Sequence, residues 1–371
     1  MQLCCFNLQH ARGESAINTV SCSAPETDFC LLSGPPVSDD IASRWIYFHH
    51  RDHASEIACS NLKVTKRTNM SLLSLIKSRP LKTAAAICAS AVTSALFSIA
   101  AAEPGFRTID IGHAHLNVAE WLPADSRDEL VLALPGSGGD YSRYQRLAPL
   151  LAEAGYHTIV INQRGIMGSS GNLEGLTLSD LAADVIAIAD TLQAEKFHMM
   201  GWAFGNRTSR MLATEYPDRV ASLTLIAAGG LVPALTQPGE LSRLLGEADL
   251  PLAEKIRLAR RTLFSPATDD SLLQDYATNL RYWPDARRAQ RNANLNTPVE
   301  QWSAGGEGPV LMVMGEDDLT APVENGHLMK RRHGERLELA IIPEAGHVVG
   351  LEKPHEALAA IVSFLARNPA H

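Results

Sequence analysis

Residues 103–371 contain no cysteine; all six lie earlier, at positions 4, 5, 22, 30, 59 and 88. That absence excludes a disulfide framework, a thiol nucleophile and a cysteine metal site from the larger part of the chain. Basic charge is also scarce. The 33 Lys and Arg are outnumbered by 41 Asp and Glu, a formal charge of -8, which argues against a nucleic-acid partner because phosphate binding wants a basic face. No internal repeat, low-complexity tract, metal-ligand cluster or dinucleotide fingerprint is present, so no cofactor or metal is expected. What is there is ordinary globular material, 46% hydrophobic in 371 residues, enough for one large domain or two small ones.

The first 102 residues differ from the rest. Residues 1–69 hold five of the six cysteines and no sustained period of 2 or 3.6. From Met70 the chain reads as a basic segment (Lys77, Arg79, Lys82), an apolar Ala/Ser-rich run, and small residues at Ala100 to Ala102. That is the layout of a secretory signal peptide. The expectation is that 70–102 is a signal, that Met70 is the true start, and that 1–69 is spurious upstream sequence or a disordered extension. The alternative is a genuine extension followed by a membrane helix, although a run of about 20 residues is near the lower limit for a span. Cleavage after Ala102 would leave 24 basic and 34 acidic residues. An acidic, cysteine-free, exported chain fits a periplasmic or secreted location with no stable membrane insertion.

From residue 128 on, apolar strand-like runs alternate with helix-like segments. "DELVLALPG" (128–136), "HTIVINQRG" (157–165), "KFHMMG" (196–201), "VASLTLIAA" (220–228), "PVLMVMG" (309–315) and "LELAIIP" (337–343) read as strands that are apolar on both faces. Between them, 141–156 reads as one helix. Residues 177–192 read as another, with Thr177 and Asp180 as a capping box. A third follows Gly205, and 354–368 closes the chain with Pro354 in its first turn. Such alternation predicts an α/β fold: a mostly parallel central sheet with helices on both faces. It breaks at 231–307, a helical, Leu- and Arg-rich stretch read as a cap. The core is then 103–230 with 308–371, and ligands of such sheets bind at the C-terminal strand edge.

Four short motifs carry chemistry. "GWAFG" (201–205) has the Gly201-x-x-x-Gly205 frame of a nucleophile elbow, in which larger residues would clash between strand and helix. The nucleophile position holds Ala203, whose methyl group cannot attack, flanked by Trp202 and Phe204. "LPGSGG" (134–139) can supply a backbone N–H at Ser137 to pair with that of Phe204 as an oxyanion hole, which needs no side chain. Asp318 follows a buried strand in "GEDDLTAP", and His347 follows the last strand in "AGH". A carboxylate there can hold the imidazole in one tautomer and stabilise its charged form. Asp317 is the competing acid. Ser137 and Ser169 are the nearest serines that could replace the missing nucleophile.

In this chain order the motifs resemble those of α/β-hydrolase-fold proteins with a helical cap, over nearly all of 106–368. The departures are Pro135 where a histidine is common, Asn162 in "NQRGIMGSSG" where Asp is common, Trp202 for a common histidine, and Ala203 itself. The resemblance implies a small-molecule substrate and no cofactor. In the cap, Leu244, Leu245, Leu263, Phe264, Leu280, Tyr282 and Trp283 are candidates for an apolar pocket or for cap packing. Arg260, Arg261, Arg287 and Arg288 are candidates for an anion contact or a solvated face. The sequence reading is therefore an exported hydrolase of a small apolar ester or lactone, using a His347–Asp318 pair without a serine nucleophile. Its rivals are a non-catalytic ligand-binding pseudoenzyme and a cofactor-free lyase or oxygenase driven by the same base.

Overall fold

A computed structural model describes residues 7–11, 14–18 and 103–371. The expected signal, 70–102, and the rest of the 1–69 extension lie outside them. Taken by itself, the N-terminal part contains a hairpin in which β1 (Asn7–Ala11) pairs antiparallel with β2 (Glu14–Asn18).

The larger unit is built on an eight-stranded sheet of β3 (Gly105–Asp110), β4 (His115–Trp121), β5 (Leu130–Leu134), β6 (His157–Ile161), β7 (Phe197–Trp202), β8 (Val220–Ile226), β9 (Val310–Gly315) and β10 (Leu337–Ile342). Their spatial order is β10-β9-β8-β7-β5-β6-β4-β3. Only β4 runs against its neighbours, pairing antiparallel with β3 and β6, and every other pair is parallel. The sequence reading passed over β3 and β4. Their signal is alternation rather than a continuous apolar run, because β3 is an edge strand with five of six residues exposed. The inner strands β7, β8 and β9 are buried along their whole length, as a sheet covered on both faces requires.

Alternate residues of these strands feed two hydrophobic layers. On one face, Leu132, Leu134, Leu223 and Met312 meet α2 (Leu178–Thr191), α3 (Gly205–Glu215) and α9 (Glu324–His333). On the other, Val131, Ala133, Leu311 and Val313 meet α1 (Ala148–Glu153) and α11 (Pro354–Arg367), the latter following the short α10 (Val349–Glu352). The capping box starts α2 as expected, Asp180 accepting from the Thr177 amide at 2.7 Å. The single helix expected over 141–156 is instead a 3-10 turn, Tyr141–Tyr144, followed by α1. Pro149 lies in the first turn of α1, where its missing N–H costs nothing; deeper in a longer helix its ring would clash with the carbonyl of Gln145.

The break in alternation is the cap: α4 (Glu240–Gly246), α5 (Leu252–Thr262), α6 (Asp270–Thr278), α7 (Pro284–Leu295) and α8 (Val299–Trp302), inserted between β8 and β9. Leu244, Leu258 and Leu263 join the second layer, while Ala289, Ala293 and Trp302 join the first. The cap thus straddles the C-terminal edge of the sheet.

Candidate active site

The elbow forms where β7 gives way to α3. A Cβ on Gly201 would lie 2.5 Å from Ser209 Oγ, and one on Gly205 would lie 2.3 Å from the Leu134 carbonyl. Neither position accepts a side chain, so strand and helix approach as closely as the frame implied. Between them Ala203 has φ +48°, a left-handed conformation that costs a non-glycine residue roughly 1–2 kcal/mol. It is tied down on both sides, its N–H donating to the Ile226 carbonyl at 3.1 Å and its own carbonyl accepting from the backbone and side-chain amides of Asn206.

The acid and histidine loops meet next to Trp202, the neighbour of Ala203. His347 Nδ1 lies 2.8 Å from Asp318 Oδ2, and both side chains are buried. The other carboxylate oxygen, Oδ1, accepts from the amides of Thr320 at 2.8 Å and Ala321 at 2.7 Å. Asp318 is therefore fixed at both oxygens, and the imidazole Nε2 is left for the pocket. Asp317 points elsewhere and accepts from Ser265 Oγ at 2.5 Å.

Trp202 is more than a substitution in a motif. Its Nε1–H donates to the His347 carbonyl at 2.8 Å, and the two rings lie 5.4 Å apart. On its other side the indole packs so closely on the oxyanion loop that a Cβ on Gly136 would fall 2.7 Å from it. The indole thus spans the gap between the loop and the histidine. The amides of Ser137 and Phe204 make no hydrogen bond with the described residues, whereas the next loop amide, Gly138, donates to Gln290 Oε1 of the cap at 2.8 Å. The two serines separate. Ser169 is buried and committed, donating to the Asn162 carbonyl at 2.7 Å and accepting from the Asn117 amide at 2.9 Å, while Ser137 lines the pocket with His347.

Residues 129–354 match the alpha/beta hydrolase fold family. The chain belongs to that family. Sequence relatives include an acetyltransferase component of an acetoin cleaving system from Pseudomonas putida, 25% identical over 248 residues, which are 63% of this chain and 62% of that protein. Another is a 2-hydroxy-6-oxononadienedioate/2-hydroxy-6-oxononatrienedioate hydrolase from a Pseudomonas species, 24% identical over 274 residues, 69% of this chain and 93% of the relative. Among solved structures, the carboxylesterase CesB of Bacillus subtilis superposes with a TM-score of 0.59 at 17% identity, covering 72% of this chain and 93% of its own. That likeness is one of fold.

The pocket of this hydrolase fold is narrow. Ser137, Arg143, Trp202, Leu241, Leu245, Leu263, Tyr276 and His347 enclose about 30 Å³, room for roughly two waters. Of the cap residues proposed from sequence, Leu245 and Leu263 line it, whereas Leu244, Phe264 and Leu280 are buried in the packing layer. Of the four cap arginines, Arg260 pairs with Asp270, Arg261 with Glu240 and Arg288 with Asp285; Arg287 has no acidic partner among the described residues. Among those residues no group of three or more His, Cys, Asp or Glu is arranged to hold a metal, and no helix is long and apolar enough to cross a membrane.

Sequence reasoning missed two contributors. Glu352, at the end of α10, accepts from the Gly346 and Ser265 amides at 2.8 Å each and from the Thr268 hydroxyl, so it fixes the loop that carries His347. Burial raises its pKa against these donors. Arg143 lies within 141–156, the span read from sequence as one helix. In the 3-10 turn that replaces that helix it turns inward, its guanidinium 4.6 Å from the Tyr276 ring and 5.8 Å from that of Trp202.

Proposed function

We propose that this protein hydrolyses a small ester or lactone by activating water directly, without a covalent intermediate. The observation that carries the reading is the buried His347–Asp318 contact, with the second Asp318 oxygen fixed by two amides, in a chain whose elbow holds alanine. Asp318 keeps the Nδ1 proton of His347 in place and stabilises the imidazolium. Nε2 takes a proton from water as its oxygen bonds to the carbonyl carbon. The amides of Ser137 and Phe204 receive the negative charge that develops on the carbonyl oxygen. As the C–O bond breaks, the same proton passes to the leaving oxygen, so one water is consumed and an acid and an alcohol are released. The proposal includes export, with residues 70–102 as a cleaved signal and the periplasm or exterior as the site of action.

A second reading rests on the narrowness of the pocket: a ligand-binding protein of the same fold that turns nothing over. Turnover separates the two. Full-length protein is assayed on a panel of esters, lactones and epoxides beside His347→Ala. The expected result is hydrolysis that falls about 10²–10⁴-fold in the variant, and no labelling of the parent by a fluorophosphonate. Equal rates in parent and variant sink the base assignment, phosphonate labelling identifies a displaced serine, and a panel without turnover favours the binder.

A further inference from the structure

The pocket contains a cation, Arg143, that forms no ion pair among the described residues. Arg143 lines it together with His347 and Ser137. Its guanidinium is held between two aromatic faces, those of Tyr276 and Trp202, and Trp202 is the same indole that bonds the His347 loop. No ion pair among the described residues involves Arg143, because the nearby acid, Asp140, is taken by Arg281 at 2.5 Å. Among the described residues the buried Nε of Arg143 has no hydrogen-bond partner and the Tyr276 hydroxyl has none of good geometry, although the Arg143 guanidinium is close enough to that hydroxyl to act against the rise in its pKa. Burial raises the pKa of that phenol, so it stays a donor at neutral pH.

A second arginine supports the same end of the pocket. Gly139 of the oxyanion loop packs against Arg143, and Gly138, one residue earlier, packs against Arg287. Arg287 also has no acidic partner, and its buried Nε is likewise unmatched. The Arg143 guanidinium and the Tyr276 phenol therefore lie beside the loop that should receive the oxyanion, with the stem of Arg287 against the same loop and its guanidinium at Ser242 and Gly246 of α4, in a chain whose formal charge is -8. Donors without acceptors, partly desolvated, favour an anionic ligand group; the planar fork of arginine fits a carboxylate at two points. The apolar wall of Leu241, Leu245 and Leu263 suits the carbon skeleton behind it.

We propose that Arg143, clamped between Trp202 and Tyr276, is the receptor for a substrate carboxylate, so that the molecule acted on is a small organic acid bearing the scissile bond. This deepens the hydrolytic reading and rests on it for the reaction, though not for the binding. Entry requires Leu241 and Leu245 of α4 to move outward, since the closed space holds only water.

The test reads binding rather than turnover. Succinate, glutarate and phenylacetate, each beside its fully esterified neutral form (dimethyl succinate, dimethyl glutarate, methyl phenylacetate), are titrated calorimetrically into full-length protein. At least one acid should bind more tightly than its ester. Arg143→Gln should weaken that acid by about tenfold to a hundredfold, the usual worth of a charged hydrogen bond, and leave the ester unchanged. Arg143→Lys should fall between, which keeps the test open if the glutamine variant fails to fold. Acids that bind no better than their esters, or bind Arg143→Gln as well as the parent, overturn the proposal. Acid binding without any ester turnover overturns the hydrolytic reading instead; turnover of neutral esters with no preference for acids does the reverse.

Discussion

Ala203→Ser is the most informative single change. It adds one hydroxyl at a position already held at φ +48°, so it asks no new backbone strain of the chain; alanine has already met that cost. The donors proposed for the oxyanion are backbone groups, the amides of Ser137 and Phe204, and neither is engaged among the described residues. Each such donor is worth roughly 2.7–4 kcal/mol to a tetrahedral intermediate. A positioned base, here His347 with its Nδ1 side held by Asp318 at 2.8 Å, contributes about 10²–10⁴-fold. The donors serve water attack in the parent as well, so the gain expected from the serine is set by the base and by covalent catalysis: about 10²-fold or more in kcat/KM on p-nitrophenyl acetate. Stopped-flow traces should show an acyl-enzyme burst, and mass spectrometry after fluorophosphonate treatment should find the label on residue 203. The parent should show neither. A variant that melts at the parent's temperature yet stays inert and unlabelled would refute the reasoning. It would mean that the Trp202 indole, wedged between Gly136 and His347, keeps the hydroxyl from Nε2.

Two further outcomes concern other parts of the chain. Arg210 in α3 is fully buried, and among the described residues its three guanidinium nitrogens have no hydrogen-bond partner while the guanidinium lies 5.7 Å from the Trp302 ring; Arg210→Met should be neutral or stabilising by about 1–4 kcal/mol in urea unfolding, and a loss of more than about 3 kcal/mol would reveal a partner for the charge. If export proceeds as proposed, N-terminal sequencing of the protein recovered outside the cytoplasm should start at Glu103, and a sequence beginning before Met70 would refute the signal assignment.

The parts of the site that could be read in advance are those that depend on backbone geometry. Gly201 and Gly205 announce a tight strand–helix crossing because any side chain there collides with main-chain atoms, and Asp318 and His347 stand directly after strands whose apolar runs are unmistakable. The fold was legible for the same reason: β7, β8 and β9 are buried on both faces and show it as continuous hydrophobicity. What could not be read is what depends on long-range packing. Arg143 reaches the pocket only because Pro149 cuts a helix short and a 3-10 turn takes its place. Glu352 lies in a segment with no periodicity of its own, and its three partners come from two loops about 80 positions apart along the chain. Trp202 could be seen to depart from the common pattern, but not to bridge the oxyanion loop to the histidine.

The end of α5 is tied by hydrogen bonds to the loops that carry Asp318 and His347. The Leu263 carbonyl accepts from the amides of His347 and Val348, the Thr262 carbonyl accepts from the Thr320 hydroxyl, and Ser265 meets both Asp317 and Glu352. Residues 262–268 are thus sewn to the loops that carry the acid and the histidine, while α4 lines the pocket with the apolar side chains of Leu241 and Leu245. The insertion is therefore not one interchangeable module. A chimera that replaced all of it would strip hydrogen-bond partners from the acid and histidine loops along with the substrate-facing wall. The Leu235 amide also donates to the Leu319 carbonyl, beside Asp318, so the start of the insertion belongs to the same framework. A chimera that exchanged only the segment from Gly239 to Pro251 would alter what enters and leave the His347–Asp318 contact in place. Changes in substrate range in this architecture should then accumulate in α4 and the turn after it, where they disturb that contact least.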